Sequence, residues 1–322
     1  MLLMILLLMG GFGALYFGAD WMVRGAARLQ RSLGLSPIVI GLTVVSLGTS
    51  APELFVALLA ILRGSADLAI GNVLGSNLAN IGLILGLTAL VRPLLVADRV
   101  VRREIPIMIL ITLVFYPLIL DQRVGRVDGV FLVILLGFYL TYVFYRGKKV
   151  PTPFLAGYTP LVEEYGGKAR TGILVALGLL LAGTMGLLLG GRAIVESAIF
   201  LSGRFGISEL GIGLTVVAIG TSLPELATSV MAAAKKETDI AVGNIVGSNI
   251  FNIAGVVGLT SLVKPIAVDP GVLWLEFPAV VVLSLLALFV CLSPMVRGEF
   301  QIRRWEGALL LGTYIGLGFW IF

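Results

Sequence analysis

The segment GLTVVSLGTSAPELF, which opens at Gly41, returns 172 positions later as GLTVVAIGTSLPELA, opening at Gly213. The same offset carries GNVLGSNLANIG from Gly71 onto GNIVGSNIFNIAG from Gly243, and Arg92-Pro93 onto Lys264-Pro265. It also carries Glu104 onto Glu276, each two residues before a proline. Matches held in one register mark an internal duplication, so each half must fold by the same plan.

That plan is set by oil. Of the residues, 58% are hydrophobic and 13% charged, against about 25% charged in a soluble domain. The apolar residues fall in runs of roughly 20, the length of helix that crosses a bilayer. Such runs lie near 1–20, 36–62, 68–91, 103–120, 127–145, 171–190, 208–234, 239–263, 272–293 and 303–322. The short alternating segments of a membrane β-barrel are missing. The first run lacks a basic leader and a cleavage site, so it reads as a retained span.

Ten runs in two copies give five per copy. Five is odd, so the second copy enters the membrane from the other side. The sequence therefore predicts an all-α polytopic membrane protein, with ten transmembrane helices as two inverted five-helix repeats. The whole chain, 1–322, is one transporter domain. Its first repeat is 1–145, with the motif over 41–91. Residues 146–170 are a charged linker rich in Pro and Gly. The second repeat is 171–322, with the motif over 213–263. Of the 23 Lys and Arg residues, 17 fall on one set of alternate loops. The positive-inside rule makes that side cytoplasmic, which puts both termini outside and the linker inside.

Glu53 and Glu225 lie inside their spans, where a carboxylate costs on the order of 3 kcal/mol or more. No Lys or Arg occurs between Arg31 and Arg63, or between Arg204 and Lys235. A transported cation would answer both charges. Thr49 and Thr221 stand four residues before the glutamates and share their helix face. Pro52 and Pro224 remove a backbone donor and crowd the carbonyls of Gly48 and Gly220, which opens the helix there. On the following spans Asn72, Ser76 and Asn80, and again Asn244, Ser248 and Asn252, recur every fourth residue. Gly71, Gly75, Gly243 and Gly247 keep neighbouring strips thin enough for close helix approach. Carboxylate, hydroxyl, amide and carbonyl oxygens together suit a hard cation such as Ca²⁺ or Na⁺. The chain has no histidine and one cysteine, Cys291, which excludes imidazole sites and an internal disulfide. No nucleophile–base pair or metalloprotease motif suggests an enzyme.

GTSAPE with GNVLGSNLANI, and GTSLPE with GNIVGSNIFNI, resemble the repeats of the calcium/cation antiporter superfamily, most of all its prokaryotic sodium/calcium exchangers. The resemblance covers the whole chain. It implies export of Ca²⁺ against inward Na⁺ by alternating access, the first and sixth helices sliding across the other eight. It implies Glu53, Glu225, Thr49 and Thr221 at a central Ca²⁺ site, the threonines through their carbonyls. Na⁺ would use the glutamates with Ser50, Ser222, Ser76 and Ser248, and backbone at Ser46 and Ala218, while Asn80 and Asn252 complete the centre. Asn252, where some relatives carry Asp, fits a potassium-independent branch. The linker is too short for a regulatory Ca²⁺ domain.

The implied setting is a prokaryotic plasma (inner) membrane. The implied partners are the bilayer, Ca²⁺ and Na⁺, with no nucleic acid, no cofactor and no obligate protein partner. A monomer suffices, since one chain holds both halves of the site. Two alternatives stay open: a proton/calcium exchanger using the same glutamates, and a passive cation channel.

Overall fold

A computed structural model describes residues 2–147, 169–204, 220–292 and 300–321. The first half contains α1 (Leu2–Leu33), α2 (Pro37–Thr49), α3 (Ala51–Leu62), α4 (Ala66–Val91), β1 (Leu94–Val96), α5 (Ile105–Leu118), β2 (Arg123–Val124) and α6 (Arg126–Gly147). The second contains α7 (Ala169–Arg204), α8 (Leu223–Ala234), α9 (Thr238–Val263), β3 (Ile266–Ala267), α10 (Pro270–Cys291), β4 (Phe300–Ile302) and α11 (Arg304–Ile321). Among the described residues six helices are long and apolar enough to cross a membrane: α1, α4, α6, α9, α10 and Gly172–Phe200 within α7. The pair α2–α3, bent by 41°, makes a seventh. Helices α5, α8 and α11 stand at the other expected spans. Residues 208–219, which would lead into α8, lie outside the described residues, as do Ala218 and linker residues 148–168.

Polarity runs inside out. Helices α4 and α9 are largely buried, while α1, α6 and α7 bury one face and turn the rest outward. Phe12, Tyr16, Phe17, Phe138 and Leu181 are exposed, as a surface facing lipid requires. Lipid tails give no hydrophobic push between helices, so packing must come from close approach. A Cβ on Gly18 would sit 2.8 Å from the backbone N of Leu187, and one on Gly183 would sit 2.7 Å from that of Met22. These two glycines bring α1 and α7 backbone to backbone. Likewise a Cβ on Gly247 would meet the Leu42 carbonyl oxygen at 2.7 Å, which seats α2 against α9. Gly71 meets no described atom within 4 Å.

Two short antiparallel sheets join the halves. β1 pairs with β4 in the register Leu94↔Ile302, and β2 pairs with β3 in the register Arg123↔Ala267. An ion pair also ties α1 to the α8–α9 turn: Lys235 binds Asp20, which Arg24 holds from its other oxygen at 2.8 Å.

Candidate functional site

The bend between α2 and α3 falls at Ser50, whose backbone (φ −85°, ψ 7°) leaves the helix. Ser222 does the same ahead of α8, at φ −89° and ψ 5°. Proline stands in the first turn after each break, where its missing N–H costs nothing. Glu53 and Glu225 therefore occupy the first turns of new helices. There the unpaired amides and the helix dipole favour a negative charge. Both glutamates are fully buried.

The halves then exchange donors. Ser50 Oγ donates to Glu225 Oε1 at 2.9 Å, and Ser222 Oγ donates to Glu53 Oε1 at 3.3 Å. Thr49 Oγ1 donates to Asn244 Oδ1 at 3.0 Å, and Thr221 Oγ1 to Asn72 Oδ1 at 3.3 Å. Asn72 and Asn244 donate in turn to the main-chain carbonyls of Glu53 and Glu225, at 3.3 and 3.5 Å. Three bonds are thus each made twice, at the repeat offset. Ser76 adds a longer contact to Glu53 Oε1 at 3.4 Å.

The second oxygen of each glutamate has no partner among the described residues. Nor do the Asn80 side chain, Asn252 Oδ1 and Ser248 Oγ, all fully buried. No described Lys or Arg forms an ion pair with either glutamate. The oxygens that lack partners are those a desolvated hard cation would take up. No group of three or more His, Cys, Asp or Glu residues occurs among the described residues, so the centre offers two carboxylates and neutral oxygens.

The profile of the sodium/calcium exchanger protein family matches residues 3–145 and 175–322. The chain belongs to this family. The chain is 40% identical to the inner membrane protein YrbG of Escherichia coli, over 98% of this chain and 95% of that protein. It is 31% identical to the sodium/calcium exchanger MaX1 of Methanosarcina acetivorans, over 96% of each. Its fold matches the sodium-calcium exchanger NCX_Mj, solved after soaking with 10 mM Na⁺ and 10 mM Sr²⁺, with a TM-score of 0.82 and 32% identity. That match covers 98% of this chain and 97% of the other.

The other expected site residues are placed unevenly. Ser46 is buried near the bend, with its hydroxyl turned back to the Thr43 carbonyl at 3.1 Å. Asn80 and Asn252 sit in wide i→i+5 turns, Ala79–Ile84 and Phe251–Val257, which rotate them off the regular helical face. Glu104 is fully buried, paired with Arg99 at 2.9 Å and bonded by Tyr139 at 3.3 Å.

Two asparagines were missed by the reading of spacing alone. Asn77 Nδ2 donates to the Asn249 carbonyl at 3.3 Å, while its Oδ1 accepts from Asn252 Nδ2 at 3.1 Å. The signal was present, since Asn77 and Asn249 end the repeated GSN triplets. Ser229 was also missed, and it bonds Asn244 Nδ2 at 3.0 Å. Its repeat mate is Ala57, so duplication could not flag it.

Proposed function

We propose that this family member is a sodium/calcium antiporter, exporting Ca²⁺ in exchange for Na⁺ by alternating access. Its ions bind near the bilayer midplane, between two inverted five-helix repeats spanning 1–145 and 171–322. The linker 146–170 is cytoplasmic, both termini are outside, and one chain is the working unit. The observation that carries this reading is the reciprocal pair Ser50–Glu225 and Ser222–Glu53, buried and without a fixed cation. A site built from both repeats can open to either side as α1 and α7 slide across the other helices, while its ligands stay in place.

In this reading Glu53, Glu225 and the carbonyls of Thr49 and Thr221 hold Ca²⁺. The threonine hydroxyls are committed to Asn244 and Asn72, which orients those two residues and leaves their carbonyls as the available ligands. Na⁺ takes the same glutamates with Ser50, Ser222, Ser76, Ser248, Asn80 and Asn252, and with backbone at Ser46 and Ala218. The names of MaX1 and NCX_Mj support sodium as the coupling ion.

The test is ⁴⁵Ca²⁺ uptake by purified protein in liposomes loaded with Na⁺, K⁺ or choline, with a separate series under a pH gradient. Uptake requiring internal Na⁺, and abolished in both Glu53→Gln and Glu225→Gln, is the expected result. Uptake driven by protons alone would assign the proton exchanger, and uptake needing no counter-ion would assign a channel. Unchanged transport in either variant would remove the site.

A further inference from the structure

A cavity of about 530 Å³ opens where the end of α4, the α8–α9 turn, β4 and the start of α11 meet. Arg92, Lys236 and Arg304 all line it, with Thr238, Gln301 and Val91 among the others. No carboxylate lines it, and none of the three cations forms an ion pair with a described residue. Glu237, next in sequence to Lys236, does not line it.

Loop cations that only set topology would explain the charge. They do not explain the backbone. Lys236 sits at φ 69°, in the left-handed region that disfavours any residue with a Cβ. Its repeat mate is Gly64, at φ 83°, which adopts the same conformation without that penalty. The mated turns read Gly64-Ser65-Ala66 and Lys236-Glu237-Thr238. One copy uses glycine where the turn demands it. The other keeps a lysine against the local preference, and that lysine completes a ring of like charges. Strain held in place beside a charged hollow points to a ligand.

We propose that this cavity binds a phosphate-bearing anion, with Arg92, Lys236 and Arg304 as cationic ligands and Thr238 and Gln301 as hydrogen-bond donors. Such oxygens belong equally to an anionic phospholipid headgroup and to soluble phosphate. The rim favours the lipid, since Val91 is 52% exposed and Trp305, beside Arg304, is 60% exposed. The proposal does not depend on which ions the protein transports.

Full-length protein in detergent would be titrated with dioctanoyl phosphatidylglycerol, dioctanoyl phosphatidylcholine and inorganic phosphate, with binding read by native mass spectrometry. The variants are Lys236→Gly and the pair Arg92→Gln/Arg304→Gln. The exposed cations Arg31 and Arg103, neutralised together, serve as the control. We expect phosphatidylglycerol to bind, phosphatidylcholine not to bind, and affinity to fall about fivefold for each cavity cation removed. Lys236→Gly should at the same time raise the melting temperature, because glycine relieves the backbone. Phosphate that displaces the lipid would assign the soluble ligand to the same site. Affinity unchanged in the cavity variants, or reduced equally in the control, would overturn the proposal. So would a Lys236→Gly variant that is more stable and binds as before.

Discussion

Each buried glutamate depends on a hydroxyl from the other half, but not equally. Glu53 Oε1 receives Ser222 and Ser76, whereas Ser50 is the serine donor seen on Glu225 Oε1. Ser50→Ala should therefore destabilise the ion-free protein by about 1–3 kcal/mol, the cost of leaving a buried acceptor unsatisfied. Ser222→Ala should cost less, and thermal unfolding of the two variants in chelator would compare them. Asn77→Leu should weaken Ca²⁺ transport although Asn77 bonds neither carboxylate, because it frees Asn252 and the Asn249 carbonyl. At this scale the duplication made the site legible. Thr49, Ser50, Glu53 and Asn72 each had a mate to mark them. Ser229 had none, and a lone serine in an apolar helix looks like any other.

A helix that restarts is the element on which the site is built. Pro52 denies Gly48 a backbone partner, and the chain breaks two residues earlier at Ser50. Pro52→Ala should let the helix run straighter, so transport should fall while the melting temperature holds or rises. The α1–α7 contact makes the opposite demand, for nearness without side chains. Gly183→Ala should cost about 1–3 kcal/mol, since its Cβ would meet rigid backbone at 2.7 Å. Gly10→Ala, with nothing within 4 Å, should be neutral in the same assay. Helix positions were readable because hydropathy reports where oil is. The wide turns at Ala79–Ile84 and Phe251–Val257 were not, because an enlarged turn alters which face a residue shows and leaves composition untouched.

Across the whole molecule the halves are joined at the site, through two small sheets and through the Asp20–Lys235 pair. None of these contacts uses residues 148–168. Fragments 1–147 and 169–322, co-expressed as separate chains, should therefore copurify and regain Ca²⁺ transport, while either alone should do neither. Failure to copurify would make the linker the bond that matters. The crossed serines also impose an order in time. Ser222 lies 169 residues after Glu53, roughly ten to thirty seconds of synthesis at ordinary ribosomal rates. For that interval Glu53 enters the bilayer before its distant donor exists. The nascent first half must wait with a carboxylate that has the longer Ser76 contact but not yet Ser222, and its partner oxygen stays open until the second half arrives.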